Sequence, residues 1–223
     1  WEIPGLEGNP ASRIKVMEEN NQRERFLSDG EMTRLIETVE CSPCKILKYL
    51  LPFLLHTGAR RNEALKAEWS HIDWTHRTWL IPISKSGKRR NITLSEGVIL
   101  ILRELQTLNL SDQWIFPNPK TGQPYKNIFT SWNRARKAAG LHDVRMHDLR
   151  HTFASLLVNH GRSLYEVQAM LGHSNHRTTQ RYAHLDQNRL IEGVDIATQG
   201  IPFRSARTVV LEPRSLDLSN TAE

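Results

Sequence analysis

Between Ser70 and Leu94 the apolar residues alternate, carried by Ile72, Trp74, Trp79, Ile81, Ile83, Ile92 and Leu94, while on both sides they recur at helical spacing. That double change of period is the strongest constraint on the fold. Alternation places successive side chains on opposite faces of a strand, whereas spacing by three and four builds one stripe on a helix. The pattern predicts two or three strands, with Ser84-Lys85-Ser86-Gly87-Lys88 turning a hairpin, set into a helical chain. The expected fold class is α+β, mostly α-helical with a small antiparallel β-sheet.

Local signals place the helices. Ser28-Asp29-Gly30-Glu31 fits a capping box, so a helix should run from Ser28 to about Glu40 with a stripe of Met32, Leu35, Ile36 and Val39. Ser42-Pro43 reads as an N-cap followed by proline at the first helical position. The helix it opens holds Leu47, Leu50, Leu51, Leu54 and Leu55, should kink at Pro52 and should stop near Gly58. After the sheet, helices are expected at about Ser95–Leu108, Asn127–Ala139, His147–Asn159, Ser163–Leu171, His176–His184 and Asp186–Ala197. In the helix from His147, Leu149, Phe153, Leu156 and Leu157 should face the core. Gly140, Gly161 and Gly172 are placed as helix stops. Residues 1–25 read as a linker remnant, 26–199 as one domain, and 200–223 as a polar tail with a short β-prone piece, Thr208–Leu211.

A chain of 223 residues with 39% hydrophobic content is long enough to bury a core. No apolar run is long enough to span a membrane, and the best, Tyr49 to Leu55, contains Pro52. No signal peptide is visible, and the opening Trp1 suits a fragment or processed chain. A net charge of +6 suits a polyanionic partner such as nucleic acid. Cys41 and Cys44 are the whole thiol supply, which is no disulfide framework and fits a reducing cytosol. Their C-x-x-C spacing would make half a zinc site, but no second pair exists, and neither a metal nor a cofactor is expected.

Four clusters of cations and imidazoles stand out. In His56–Leu65, Arg60 and Glu63 are three apart and share a helical face. Ser84–Asn91 carries Lys85, Lys88, Arg89 and Arg90 on and beside the hairpin, and these cations suit an arm reaching into a DNA groove. In His147–Leu157, His147 and Arg150 project together from a helix start, an arrangement that suits a phosphate. In Met170–Leu185, His173 follows a Leu-Gly helix stop, and Tyr182 lies beside Arg181. Each alone reads equally as a surface ion pair, a solvated turn, a polar first helical turn or a packing tyrosine.

Together, in this order, they resemble the tyrosine recombinase family of the phage-integrase type, over about Arg25 to Ala197. Thr57-Gly58-Ala59-Arg60-Arg61-Asn62-Glu63 resembles its first-arginine box. Ser84-Lys85-Ser86-Gly87-Lys88 resembles the hairpin lysine, and His147-Asp148-Leu149-Arg150-His151-Thr152 the HxLRHT box. Leu171-Gly172-His173 with Gln180-Arg181-Tyr182 resembles the last box.

The resemblance implies the catalytic-domain fold of that family, itself similar to type IB topoisomerases. It also implies a DNA breaking–rejoining enzyme that passes through a 3′-phosphotyrosine intermediate without metal or cofactor. Tyr182 would be the nucleophile and Arg60 and Arg150 the clamp on the phosphate oxygens. His147 would be the base, His173 a phosphate hydrogen-bond donor, and Lys85 the acid for the leaving 5′-oxygen, with Lys88 the competing choice. Glu63 and His151 would support the site, and Lys88, Arg89, Arg90 and Arg181 would bind DNA. The implied partners are double-stranded DNA attachment sites, a homotetramer formed on them, and accessory DNA-bending proteins. The implied place is the cytoplasm, at the nucleoid. Three rivals stay open: a DNA-binding protein without catalysis, a metal-dependent nuclease, and a topoisomerase or resolvase of the same chemistry. The nuclease would need converging carboxylates where these clusters hold cations.

Overall fold

The structure is a computed structural model that describes residues 25–82, 89–173 and 175–186. The expected linker before Arg25, the hairpin turn with Lys85 and Lys88, the helix expected beyond Asp186 and the tail lie outside the described residues.

Helix α1 spans Asp29–Glu40, and its capping box forms: the Ser28 hydroxyl accepts the Glu31 N–H and the Glu31 carboxylate accepts the Ser28 N–H. Helix α2 spans Lys45–Thr57 with Pro52 inside it, and ends at Gly58 in the left-handed conformation. Its N-cap position is Cys44, not Ser42; the Ser42 hydroxyl takes the Cys44 N–H at 3.2 Å in the turn before the helix. A short helix, α3 (Arg61–Leu65), and a 3-10 turn (Trp69–His71) lead into the sheet.

The sheet has β1 (Ile72–Asp73), β2 (Thr78–Ile81) and β3 (Arg90–Thr93) in the order β1-β2-β3, all antiparallel. Trp79 pairs with Ile92 and Ile81 with Arg90. Trp79, Ile81 and Ile92 are buried, so this face closes the core. Helices α4 (Glu96–Thr107, capped by Ser95), α5 (Phe129–Ala138), α6 (Asp148–Asn159) and α7 (Leu164–Leu171, with a Ser163–Glu166 capping box) follow near the expected positions.

Helix α2 is the centre of the domain. Ile46, Leu47, Leu50, Leu51, Phe53 and Leu54 on it are almost fully buried, and it packs against α1, α3, α4 and α6. Each such side chain contributes about 2 kcal/mol of burial, so α2 fixes where its C-terminal Gly58 lies. A side chain at Gly58 would need φ near +59° and would put its Cβ 2.3 Å from a Phe153 ring carbon, which is why glycine stands there.

One expectation is extended and one corrected. Helix α6 buries more than its apolar stripe: Leu149 lies in the core and the half-buried Phe153 and Leu157 pack against a second small core, but Asp148, Arg150, His151 and Thr152 at its start are buried as well. One Asp148 carboxylate oxygen accepts the Arg145 N–H and the Thr152 hydroxyl accepts the Leu27 N–H, which gives these enclosed groups partners. The helix expected at His176–His184 is instead α8 (Arg177–Gln180) followed by a 3-10 turn, Ala183–Asp186. Tight i-to-i+3 bonds, Tyr182 N–H to Thr179 O and Leu185 N–H to Tyr182 O, wind the chain so that Tyr182 turns inward. There it joins a second small core with Ala154, Val158, Val167 and Leu171. Among the described residues no helix is long and apolar enough to cross a membrane.

Candidate active site

Arg150 organises the site. It is 3% exposed, and its guanidinium donates to two helix-end carbonyls: Nη1 to Gly58 O and Nη2 to Leu171 O, both at 2.7 Å. A cation at the C-terminal ends of α2 and α7 meets the negative ends of both helix dipoles. One side chain therefore staples together the segments that carry Arg60 and His173. Burial, then the charges of Arg60 and Arg90, push its pKa down to about 9, which leaves it charged at neutral pH in a strongly electropositive pocket.

Glu63 is the carboxylate of that pocket. One oxygen accepts Arg60 Nη1 at 3.0 Å; the other accepts the Arg60 backbone N–H at 2.9 Å and Arg90 Nη2 at 2.8 Å. Arg60 stands at the N-cap of α3, so the first turn of that helix sets the guanidinium direction. His147 sits at the N-cap position of α6, exposed at the mouth of the site, with its ring edge against His151 at 4.9 Å between centroids. Desolvation first, then Arg150, lowers its pKa.

Tyr182 is 5% exposed, and its hydroxyl lies 2.5 Å from His151 Nδ1. Arg181 Nη1 meets the opposite ring nitrogen, Nε2, at 3.5 Å. A guanidinium only donates, so Nε2 is assigned as the acceptor, and the ring proton falls on Nδ1, which donates to the phenolic oxygen. Burial pushes the Tyr182 pKa up to about 12, against the pull of the Arg181 and Arg150 charges. His173 Nδ1 lies 2.8 Å from the Thr179 hydroxyl. With that hydroxyl donating, the His173 proton sits on Nε2.

Burial, followed by neighbouring cations and imidazoles, pushes His151 and His173 down to about 3 from an ordinary 6.5. Both rings are neutral when folded, while an unfolded chain protonates them below that ordinary value. Their contribution to stability is complete above pH 6.5 and is lost as pH falls toward 3. Between pH 7 and pH 4.5 the buried His151 alone should cost about 2 kcal/mol. Thermal melts across that range should show a shallower pH dependence for His151→Asn than for the parent; parallel curves would contradict the neutral ring.

Of the expected DNA-binding cations, Arg89 is exposed, but Arg90 points inward onto Glu63 and Arg181 lies half-buried against His151. Lys85 and Lys88 lie outside the described residues. Arg60 and His147 open onto a groove of about 1210 Å³ between α3, the sheet and the segment before α6, with Arg61, Lys66, Arg136 and Arg145 along it. Spacing alone did not single out these groove cations or Thr179. Thr178 and Thr179 are adjacent, and only the tight winding of α8 decides which one faces His173.

The sequence profile described as the phage integrase family matches residues 25–189. The chain is 34% identical over 193 residues to the integrase of Salmonella phage P22, across 80% of this chain and 48% of that protein. It is 30% identical over 192 residues to tyrosine recombinase XerC of Staphylococcus epidermidis, across 82% of this chain and 64% of that protein. The chain thus spans about half of the P22 integrase and somewhat under two thirds of XerC. Among solved structures, the catalytic domain of bacteriophage HP1 integrase superposes with a TM-score of 0.61 at 26% identity, over 80% of this chain and 98% of that one. XerH recombinase bound to its palindromic difH substrate, in a post-cleavage complex, gives a TM-score of 0.65 at 27% identity, over 82% of this chain and 56% of that one. The chain belongs to the phage integrase family, the tyrosine recombinases, and has their catalytic-domain fold.

Proposed function

We propose that this domain cuts and rejoins DNA as the catalytic part of a site-specific recombinase that integrates or excises a mobile element. The observation that carries the reading is the convergence of Arg60, Arg150, His147, His173 and the His151-held Tyr182 on one cation-rich site beside a basic groove.

The Tyr182 oxygen attacks the phosphorus of a phosphodiester, the bond to the 5′-oxygen breaks, and a 3′-phosphotyrosine and a 5′-hydroxyl form. A free phenol loses its proton near pH 10, and burial raises Tyr182 further. Attack therefore needs a base, with the Arg181 and Arg150 charges favouring the phenolate. His147, neutral at the mouth of the site, takes the proton, and His151 Nδ1–H holds the oxygen as charge develops. Arg60 and Arg150 have unused N–H donors beyond those bound to Glu63 and the two carbonyls, and these clamp the non-bridging oxygens. His173 Nε2–H adds a donor, and Lys85 protonates the leaving 5′-oxygen, with Lys88 the alternative. A 5′-hydroxyl from a second strand reverses the step. No metal or cofactor is required by this chemistry. Double-stranded attachment sites are the substrate, four copies assemble on them, DNA-bending proteins assist, and the enzyme works at the nucleoid.

Strand exchange between two labelled attachment-site duplexes in EDTA tests the reading. Recombinant-length products should form at the same rate with and without magnesium. Duplexes that are bound but never joined would reduce the protein to a DNA-binding relative, and joining that stops in EDTA would point to metal-dependent cutting.

A further inference from the structure

We infer that Arg90 is a positioning residue for strand cleavage: it fixes the carboxylate that orients Arg60 and lies across Gly172, tying the β-hairpin to two other catalytic segments. The inference rests on the function proposed above. Alternation along β3 puts Arg90 on the same face as the buried Ile92, while its neighbour Arg89 is exposed. Its side chain is 12% exposed and meets Glu63, itself 8% exposed, at 2.8 Å. The two remaining donors, Nε and Nη1, are buried without a hydrogen-bond partner, so neither faces the groove. They lie over Gly172: a Cβ there would come within 2.6 Å of Arg90 Cδ and 2.8 Å of Nη1. The Leu-Gly-His glycine is thus needed both for its φ of +63° and for the approach of this guanidinium.

Three consequences follow from that geometry. Arg90 shares one Glu63 oxygen with the Arg60 backbone N–H, and the other oxygen holds the Arg60 guanidinium, so Arg90 acts on Arg60 through the carboxylate. It begins β3, so a displacement of that strand is felt at Glu63. It also rests on the turn directly before His173, and so couples the hairpin to the last box.

The test is single-turnover cleavage of a nicked attachment site at saturating protein, with DNA affinity and melting temperature measured alongside, for Arg90→Met, Arg90→Lys, Glu63→Gln and the Arg90→Met/Glu63→Gln pair. Arg90→Met should slow the saturated rate by about thirtyfold, the range of a lost supporting contact, with affinity within about twofold. Arg90→Lys, which still offers one donor to the carboxylate, should fall only about three- to fivefold. Adding Arg90→Met to Glu63→Gln should cost less than about twofold more, because the path through the carboxylate is already cut. A wild-type rate in Arg90→Met, losses that multiply in the pair, or weakened affinity with an unchanged saturated rate would each overturn the inference. Should Arg90→Met fail to fold, Arg90→Lys decides: slower cleavage at unchanged affinity supports positioning, and a parental rate or a loss confined to affinity overturns it. An adduct in the parent protein keeps this outcome separate from the function itself; no adduct in the parent would overturn both.

Discussion

An Arg150→Ala protein should cleave its site at least about a hundredfold more slowly than the parent and melt roughly 6–12 °C lower. The two losses have different origins. The rate falls because the phosphate loses one of its two arginine clamps, worth about 3 kcal/mol in the transition state. The melting temperature falls because Arg150 is 3% exposed and donates to Gly58 O and Leu171 O. Truncation leaves those buried helix-end carbonyls without the donor, at a total cost of about 3 kcal/mol. Arg150→Lys separates the terms. It keeps the charge, but one ammonium cannot reproduce a fork that spans two carbonyls, so stability should recover in part while cleavage stays about a hundredfold down. Differential scanning calorimetry with single-turnover cleavage checks both. A slow variant with parental melting would show that the staple is dispensable to the fold.

The parts of this architecture governed by local rules were legible in the sequence. The capping boxes at Ser28 and Ser163 place the starts of α1 and α7 because the two reciprocal bonds need only residues three apart. The alternation that found β2 and β3 also held the clue to Arg90, two residues before Ile92 on the inward face. The four boxes were picked out by their order, and the structure brings Arg60, His147, Arg150, His173 and Tyr182 into one region.

What local spacing did not carry is tertiary. The start of α6 is enclosed on all sides, so Arg150, His151 and Thr152 are buried where an amphipathic helix would expose polar groups. The inward turn of Tyr182 depends on packing against Ala154, Val158, Val167 and Leu171, contacts that no window along the chain contains. The division of labour between imidazoles is likewise set across elements. His151 reaches the phenol because α6 and the turn after α8 pack together.

Tyr182 is the proposed nucleophile. Tyr182→Phe keeps the ring that fills the second small core and removes only the oxygen and its bond to His151, a change of about 1 kcal/mol in stability. The fold should survive, and all covalent chemistry should stop. The decisive measurement is a suicide-substrate assay on a nicked attachment site in EDTA, read on a denaturing gel for protein linked to DNA. An SDS-resistant adduct is expected with the parent and none with Tyr182→Phe at equal DNA occupancy. An adduct that persists in Tyr182→Phe would place the nucleophile elsewhere and contradict the central claim.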